Sequence, residues 1–210
     1  MSNMLVNTRD QKFVLYEQIG IDKLFETEKY AEYNRETVDM MLNEAEKLAI
    51  EVLLPTYDKG DKEGCRFEKG RVKVPACFHD AYRKFCEGGW LNCMRSVESG
   101  GQGMPNTVSQ ACYEFFQAAN YPLIMYPGLT NGAAGLIDRF GTPEQKKKYM
   151  EKMYTGEWGG TMCLTEPGAG SDVGALKTTA KRLPDGTYSI QGTKIFISSG
   201  DHDLTPNNVH

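Results

Sequence analysis

From Val38 onward, apolar residues recur at the three-and-four spacing of one helix face: Val38, Met41, Leu42, Ala45, Leu48, Ala49, Val52 and Leu53. The spacing predicts a helix, and Pro55 predicts its end, because proline cannot donate and crowds the preceding turn. Before it, within the first 34 residues, only "IDKLFETEKYAEYN" is periodic. After it, "YDKGDKEGCRFEKGRV" (57–72) is charged and glycine-broken, which predicts an exposed loop. Phe78, Ala81, Tyr82 and Phe85 mark the buried face of a second helix. That helix should open at Pro75, where a missing N–H is harmless, and stop at Gly88-Gly89. Helical patterns return over 105–119 and, interrupted by Pro127 and Gly128, over 123–140. In "GTPEQKKKYM", Thr142 is a cap, Pro143 the first helical residue and Gln145 the capping-box partner. This last helix should end near Gly156.

The period then changes. "GTMCLT" (160–165), "KTTAKRL" (177–183), "GTYSI" (186–190) and "KIFISS" (194–199) are short, β-branched and separated by turn residues, above all "LPDGT". The expected class is therefore α+β and multidomain. An N-terminal extension (1–34) precedes an all-α domain (35–157), and the first strands of an incomplete β domain come after it (158–210). Three or four strands make a thin sheet with open edges, poorly able to bury a face. The chain reads as unfinished.

Composition narrows the function classes. The chain is 40% hydrophobic and 25% charged, as soluble globular proteins are, and its net charge of −4 argues against a nucleic-acid or anionic-membrane binder. No apolar run approaches the ~18 residues of a membrane span. The start, "MSNMLVNTRDQKF", lacks the marks of a secretion or transit peptide, so the cytoplasm is the expected location. Six cysteines form no C-x-x-C, and the three histidines stand at no ligand spacing from them. Core thiols and no metal site are the expectation.

The chemistry concentrates in "MCLTEPGAGSDVGALKTTA" (162–180), where glycines, a serine and an aspartate follow a strand-like run. A Walker A loop needs a lysine that is missing here. A dinucleotide fingerprint needs glycine at 173, which is Val173, and a long helix next. What remains is a turn presenting N–H groups and a hydroxyl to an anion, with Ser171 and Asp172 able to cap a single helical turn, or a plain loop.

"TEPGAGSDV" resembles the signature of the acyl-CoA dehydrogenase family. "ESGGQGMP" (98–105), "FGTPEQKKKYMEKMYTGEWGGTMCLTEPGAGSDV" and "GTKIFISSG" (192–200) agree with it in order and spacing, the last with Phe196 where the family usually has tryptophan. "TRDQKFVLYEQIG" and "SGDHDLTPNNVH" further resemble the branch that includes 3-methylmercaptopropionyl-CoA dehydrogenases.

The resemblance implies an N-terminal fragment of an FAD-dependent enzyme that desaturates an acyl-CoA thioester: helical domain plus the opening of a β-barrel domain. Met162, Cys163, Leu164 and Thr165 would lie on a strand beside the flavin. Gly168, Ala169 and Gly170 would let the backbone approach the cofactor and the ester. Ser171 would meet the FAD pyrophosphate and neighbour the bound substrate. Phe196 would pack on the ring from a second strand, with Ile197 and Ser198 alongside. In the family, hydroxyls near flavin N5 stabilise the charge that reduction brings. No residue here matches the family's base, a glutamate of its C-terminal domain, and Glu166 would support the loop instead. The isolated chain should then be inactive. Implied partners are an electron-transfer flavoprotein and further subunits of a homodimer or homotetramer. Acyl-CoA oxidases and flavin monooxygenases of the same superfamily, and a flavin-free interaction module, stay open as rivals.

Overall fold

The computed structural model describes residues 5–210. Most of the core is helical. Helix α1 (Thr8–Phe13) runs into a wide turn (Val14–Gln18), and α2 (Asp22–Phe25) and a 3₁₀ turn (Glu28–Tyr30) come next. Val6, Leu15 and Ile21 bury themselves in the main core, so this opening stretch is packed. Helix α3 (Arg35–Leu48) is capped by Asn34, whose side chain accepts from Thr37 N–H. Val38, Leu42, Ala45, Ala49 and Leu53 are all buried, as their spacing predicts.

Pro55 does not end that helix. The turn over Ala49–Leu53 widens to the i→i+5 pattern, with Leu54 N–H donating to Ala49 O, and α4 (Leu54–Glu63) continues through the proline. Widening relieves the crowding a proline ring imposes on the turn before it. The expected loop over 57–72 is corrected with it. Its first half is helix, and its second half is a hairpin of β1 (Arg66–Glu68) and β2 (Arg71–Lys73). Lys69 and Gly70 both take positive φ (52° and 81°), the two-residue turn whose twist matches a hairpin.

Helix α5 (Ala76–Glu87) opens after Pro75 and ends at Gly88, and Phe78, Ala81, Tyr82 and Phe85 face inward as read. Phe85 and Trp90 meet Phe116 edge-on at centroid distances of 5.1 and 5.0 Å. Phe116 belongs to α6 (Asn106–Phe140), which is kinked at Asn120. Asn120 leaves helical angles (φ −159°, ψ 80°), caps the second half through Leu123 N–H, and donates to the buried Thr56 hydroxyl at 2.8 Å. The two helical stretches read from sequence are thus one helix with a capped kink. Thr142 and Gln145 form the predicted capping box before α7 (Pro143–Gln145), and helical turns run on through α8 (Glu151–Tyr154). No helix among the described residues is long and apolar enough to cross a membrane.

The β part is sparse. Among the described residues the strands make three separate two-stranded ladders and no closed barrel. β3 (Gly159–Gly160) pairs in parallel with β6 (Asn208–Val209), and β4 (Thr179–Arg182) pairs with β5 (Tyr188–Gln191). Every residue of β4 and β5 is exposed. Two predicted strands are not formed. Residues 161–165 are irregular after the two paired glycines, and 194–197 are irregular before a turn at 198–199, with Phe196 and Ser199 both at φ 58°. β-branched sequence favours extension, but a strand needs a ladder neighbour, and these stretches share one backbone hydrogen bond, Ile195 N–H to Thr165 O at 2.9 Å.

Candidate functional site

The glycine turn is built around a carboxylate. Glu166 and Ala169 exchange both backbone hydrogen bonds (2.9 and 3.1 Å), so Pro167 and Gly168 form the tip of a tight turn. The Glu166 side chain, only 7% exposed, reaches across to residues 177, 178 and 194 and draws them together. It accepts from Lys177 N–H at 2.7 Å, from Thr178 N–H at 3.0 Å, from the Thr178 hydroxyl at 2.5 Å and from Lys194 Nζ at 2.8 Å. Lys194 Nζ also donates to Leu164 O at 2.9 Å. These donors, the Lys194 ammonium first, hold the Glu166 carboxyl down to about 2. A carboxylate so committed is a poor proton acceptor and a good clasp.

At the other end of the segment, β3 enters between two hydroxyls. Gly160 N–H donates to Thr130 Oγ1 at 3.0 Å and Gly159 N–H to Thr205 Oγ1 at 3.2 Å. A Cβ on Gly160 would lie 2.9 Å from Ala133 Cβ and 2.5 Å from Met153 Cε, so only glycine lets the segment leave α6 this closely.

Between clasp and entrance the residues singled out by sequence come to the surface. Met162 (65% exposed), Cys163 and Leu164 are exposed, and Thr165 is half-buried. The Ile195–Thr165 hydrogen bond brings Phe196, 87% exposed, to the same region, with Ile197 half-buried and Ser198 exposed. Phe196 is therefore presented from irregular backbone just before a turn and not from a strand. Gly170 and Ser171 lie past the turn, both exposed, and a Cβ at Gly168 or Gly170 would meet open space. A single 3₁₀ turn (Val173–Ala175) comes next, but neither Ser171 nor Asp172 caps it with a side chain; the Ser171 carbonyl accepts from Val173 N–H instead. Among the described residues the hydroxyls of Thr165, Ser171 and Ser198 make no hydrogen bond within the chain. Cys163 and Cys65 are exposed, which corrects the core-thiol expectation at those two positions, while Cys93 and Cys112 are buried.

Residues 162–165 and 196–198 lie on an open surface, and the small cleft at the glycine turn, of about 290 Å³, is lined by Glu166, Pro167, Gly168, Lys177 and Thr178 and by none of them. The larger clefts, of about 850 Å³ beside α1 and α6 and about 770 Å³ beside α5, are lined by none of these residues. Apolar groups, free hydroxyls and unencumbered backbone lie together, which suits one side of a flat amphipathic ligand.

The acyl-CoA dehydrogenase N-terminal domain matches residues 35–157, more than half the chain, and the acyl-CoA dehydrogenase middle domain matches residues 161–205. The chain belongs to the acyl-CoA dehydrogenase family. It is 41% identical over 181 residues to 3-methylmercaptopropionyl-CoA dehydrogenase of Ruegeria pomeroyi, covering 86% of this chain and 31% of that protein. It is 39% identical over 215 residues to a butyryl-CoA dehydrogenase of Syntrophomonas wolfei, covering 99% of this chain and 35% of that protein. Among solved structures it is similar to an acyl-CoA dehydrogenase of Bacillus anthracis complexed with FAD (TM-score 0.66, 29% identity, 81% of this chain and 28% of that one). The chain spans about a third of the length of these curated relatives, and it carries the helical domain and a few strands of the family fold.

Sequence reading missed Lys194, Thr178, Thr130 and Thr205. The Glu166–Lys194 pair is separated by 28 residues, and no periodicity joins the two.

Proposed function

We propose that this chain supplies the flavin-facing front of an FAD-dependent acyl-CoA dehydrogenase that introduces an α,β double bond into an acyl-CoA thioester. The observation that carries the reading is the surface between the Glu166 clasp and the Thr130–Thr205 entrance, where Leu164 and Phe196 are exposed beside uncommitted hydroxyls of Thr165 and Ser198. That donor set fits the cofactor: an isoalloxazine ring needs apolar faces and hydrogen bonds at its rim, and a pyrophosphate needs a hydroxyl and open backbone. Leu164 and Phe196 would cover the ring, Thr165 and Ser198 would reach its polar edge, and Gly170 and Ser171 would take the pyrophosphate side next to the thioester. Met162, Cys163 and Ile197 would complete the contact. When bound, FAD supplies the acceptor for the hydride that leaves the β-carbon of the substrate.

The chain's own residues bind and orient. Glu166 keeps the turn closed with Ala169 buried and Gly168, Gly170 and Ser171 at the surface, and Lys194 ties that turn to the stretch bearing Phe196. Glu166 does not serve as the base, since its carboxylate is buried and committed to four donors that favour the charged form. Residues 1–34, 35–157 and 158–210 act in this reading as extension, helical domain and opening of the barrel domain. An electron-transfer flavoprotein is the proposed electron acceptor, and the full-length assembly a homodimer or homotetramer.

The test is FAD affinity. Thr165→Val and Ser171→Ala should each weaken FAD binding about fivefold to tenfold, the effect of one hydrogen bond, with the helical core unaltered by circular dichroism. Unchanged affinity in both variants would contradict the reading. Rapid reoxidation of the reduced protein by air would instead favour an oxidase or monooxygenase.

A further inference from the structure

The stretch "SGDHDLTPNNVH" closes the chain without a role in cofactor contact, yet it is the most heavily bonded part of the β region. Asp201 Oδ2 accepts from Val72 N–H at 2.7 Å and Asp203 Oδ1 from Val74 N–H at 2.9 Å, so two alternate carboxylates grip one edge of β2 as a neighbouring strand would. Arg71 pairs with Asp201 (3.2 Å), and Lys73 (3.2 Å) and His79 (3.5 Å) pair with Asp203. His202 between them points the other way and is 2% exposed. Its ring meets Tyr126 of α6 edge-on at 5.0 Å, and its Nδ1 accepts from Leu204 N–H at 3.3 Å. Nε2 lies against the Gly159 backbone, where an added Cβ would come within 2.9 Å of it. Three residues on, Thr205 Oγ1 and Asn207 O both accept from Gly159 N–H, and Val209 O accepts from Thr161 N–H.

We propose that Asp201-His202-Asp203 is a positioning clasp for the flavin-facing segment. The two aspartates fasten it to the hairpin, and the His202 ring wedges it against α6. The fastened residues 205–209 then set where Gly159–Thr161 leave the helical domain. His202 is a positioning residue and touches neither cofactor nor substrate. The inference rests on the proposed function only for its consequence, since the placement of 159–161 is readable with no flavin present.

Hydrogen exchange on the whole 210-residue chain, without FAD, tests it. His202→Ala should speed exchange of the Gly159–Thr161 amides about tenfold or more, while amides of α3 and the first half of α6 keep their protection. Thr205→Val, which removes the acceptor for Gly159 N–H and the donor to Asn207 O with no loss of bulk, should speed Gly159 about fivefold and leave Val72 and Val74 unchanged. His202→Asn, whose side-chain oxygen can replace Nδ1 as the acceptor for Leu204 N–H, should recover part of the loss. Three results would each overturn the clasp: 159–161 within twofold of wild type in His202→Ala; core helices loosened as much as 159–161; or His202→Asn no better than Ala. If His202→Ala does not fold, Thr205→Val alone decides, and an unchanged Gly159 amide overturns the proposal. Because FAD is absent throughout, failure here leaves the FAD-affinity test of the function untouched.

Discussion

Glu166 is the residue on which the site turns, and its four donors fix both its charge and its job. The folded carboxyl titrates at about 2 against an ordinary 4.5. Between those values the unfolded chain takes up the proton and the folded one does not, so acid favours unfolding of this region. The stabilisation is fully present above about pH 5 and is lost as the pH falls toward the folded value. Protection of the Lys177 and Thr178 amides, followed by hydrogen exchange and corrected for intrinsic rates, should decline over that window in the wild type. In Glu166→Gln it should be low already at neutral pH and flat through the same range. Identical profiles for the two proteins would remove Glu166 from the clasp.

At the scale of elements, helices and strands differ in how much they need from the rest of a fold. α3 and α5 bury the faces their spacing announces, and the capping box at Thr142 forms as its residues dictate, because a helix closes its own hydrogen bonds. The kink at Asn120 falls in the gap the sequence leaves between 119 and 123, where Asn120 can cap Leu123 and reach Thr56, whereas Pro127 and Gly128, which signalled irregularity, sit within the helix. Pro55 misled because a widened turn accommodated it, a device with no sequence period. Strands depend on neighbours, so "KIFISS" reads as a strand and folds as irregular backbone ending in a turn, while Ile195 still arrives beside Thr165. Among the described residues β4 and β5 pair with each other alone, and every residue of both is exposed. Their amides over 187–191, and those through 199, should therefore exchange far faster than the amides of α3 or α6. Uniformly slow exchange through 187–199 would contradict this and would point to pairing with strands of another chain.

At the scale of the molecule, a helical core carries the open surface proposed to face the flavin, and the adjoining Glu166 carboxylate is committed to its four donors. Anaerobic mixing of the FAD-loaded chain with short, methylthio-substituted and aromatic acyl-CoAs should leave the oxidised flavin band unbleached. Bleaching that disappears in Glu166→Gln would make Glu166 the base after all. The central claim is the location of the flavin surface, and amide NMR during an FAD titration reads it directly even when binding is weak. Shifts should concentrate at Met162–Thr165, Gly170, Ser171 and Phe196–Ser198, and should be reduced by Phe196→Ala. Shifts confined to the cleft between α1 and α6 or to the cleft beside α5, or no shifts at saturating FAD, would contradict the account.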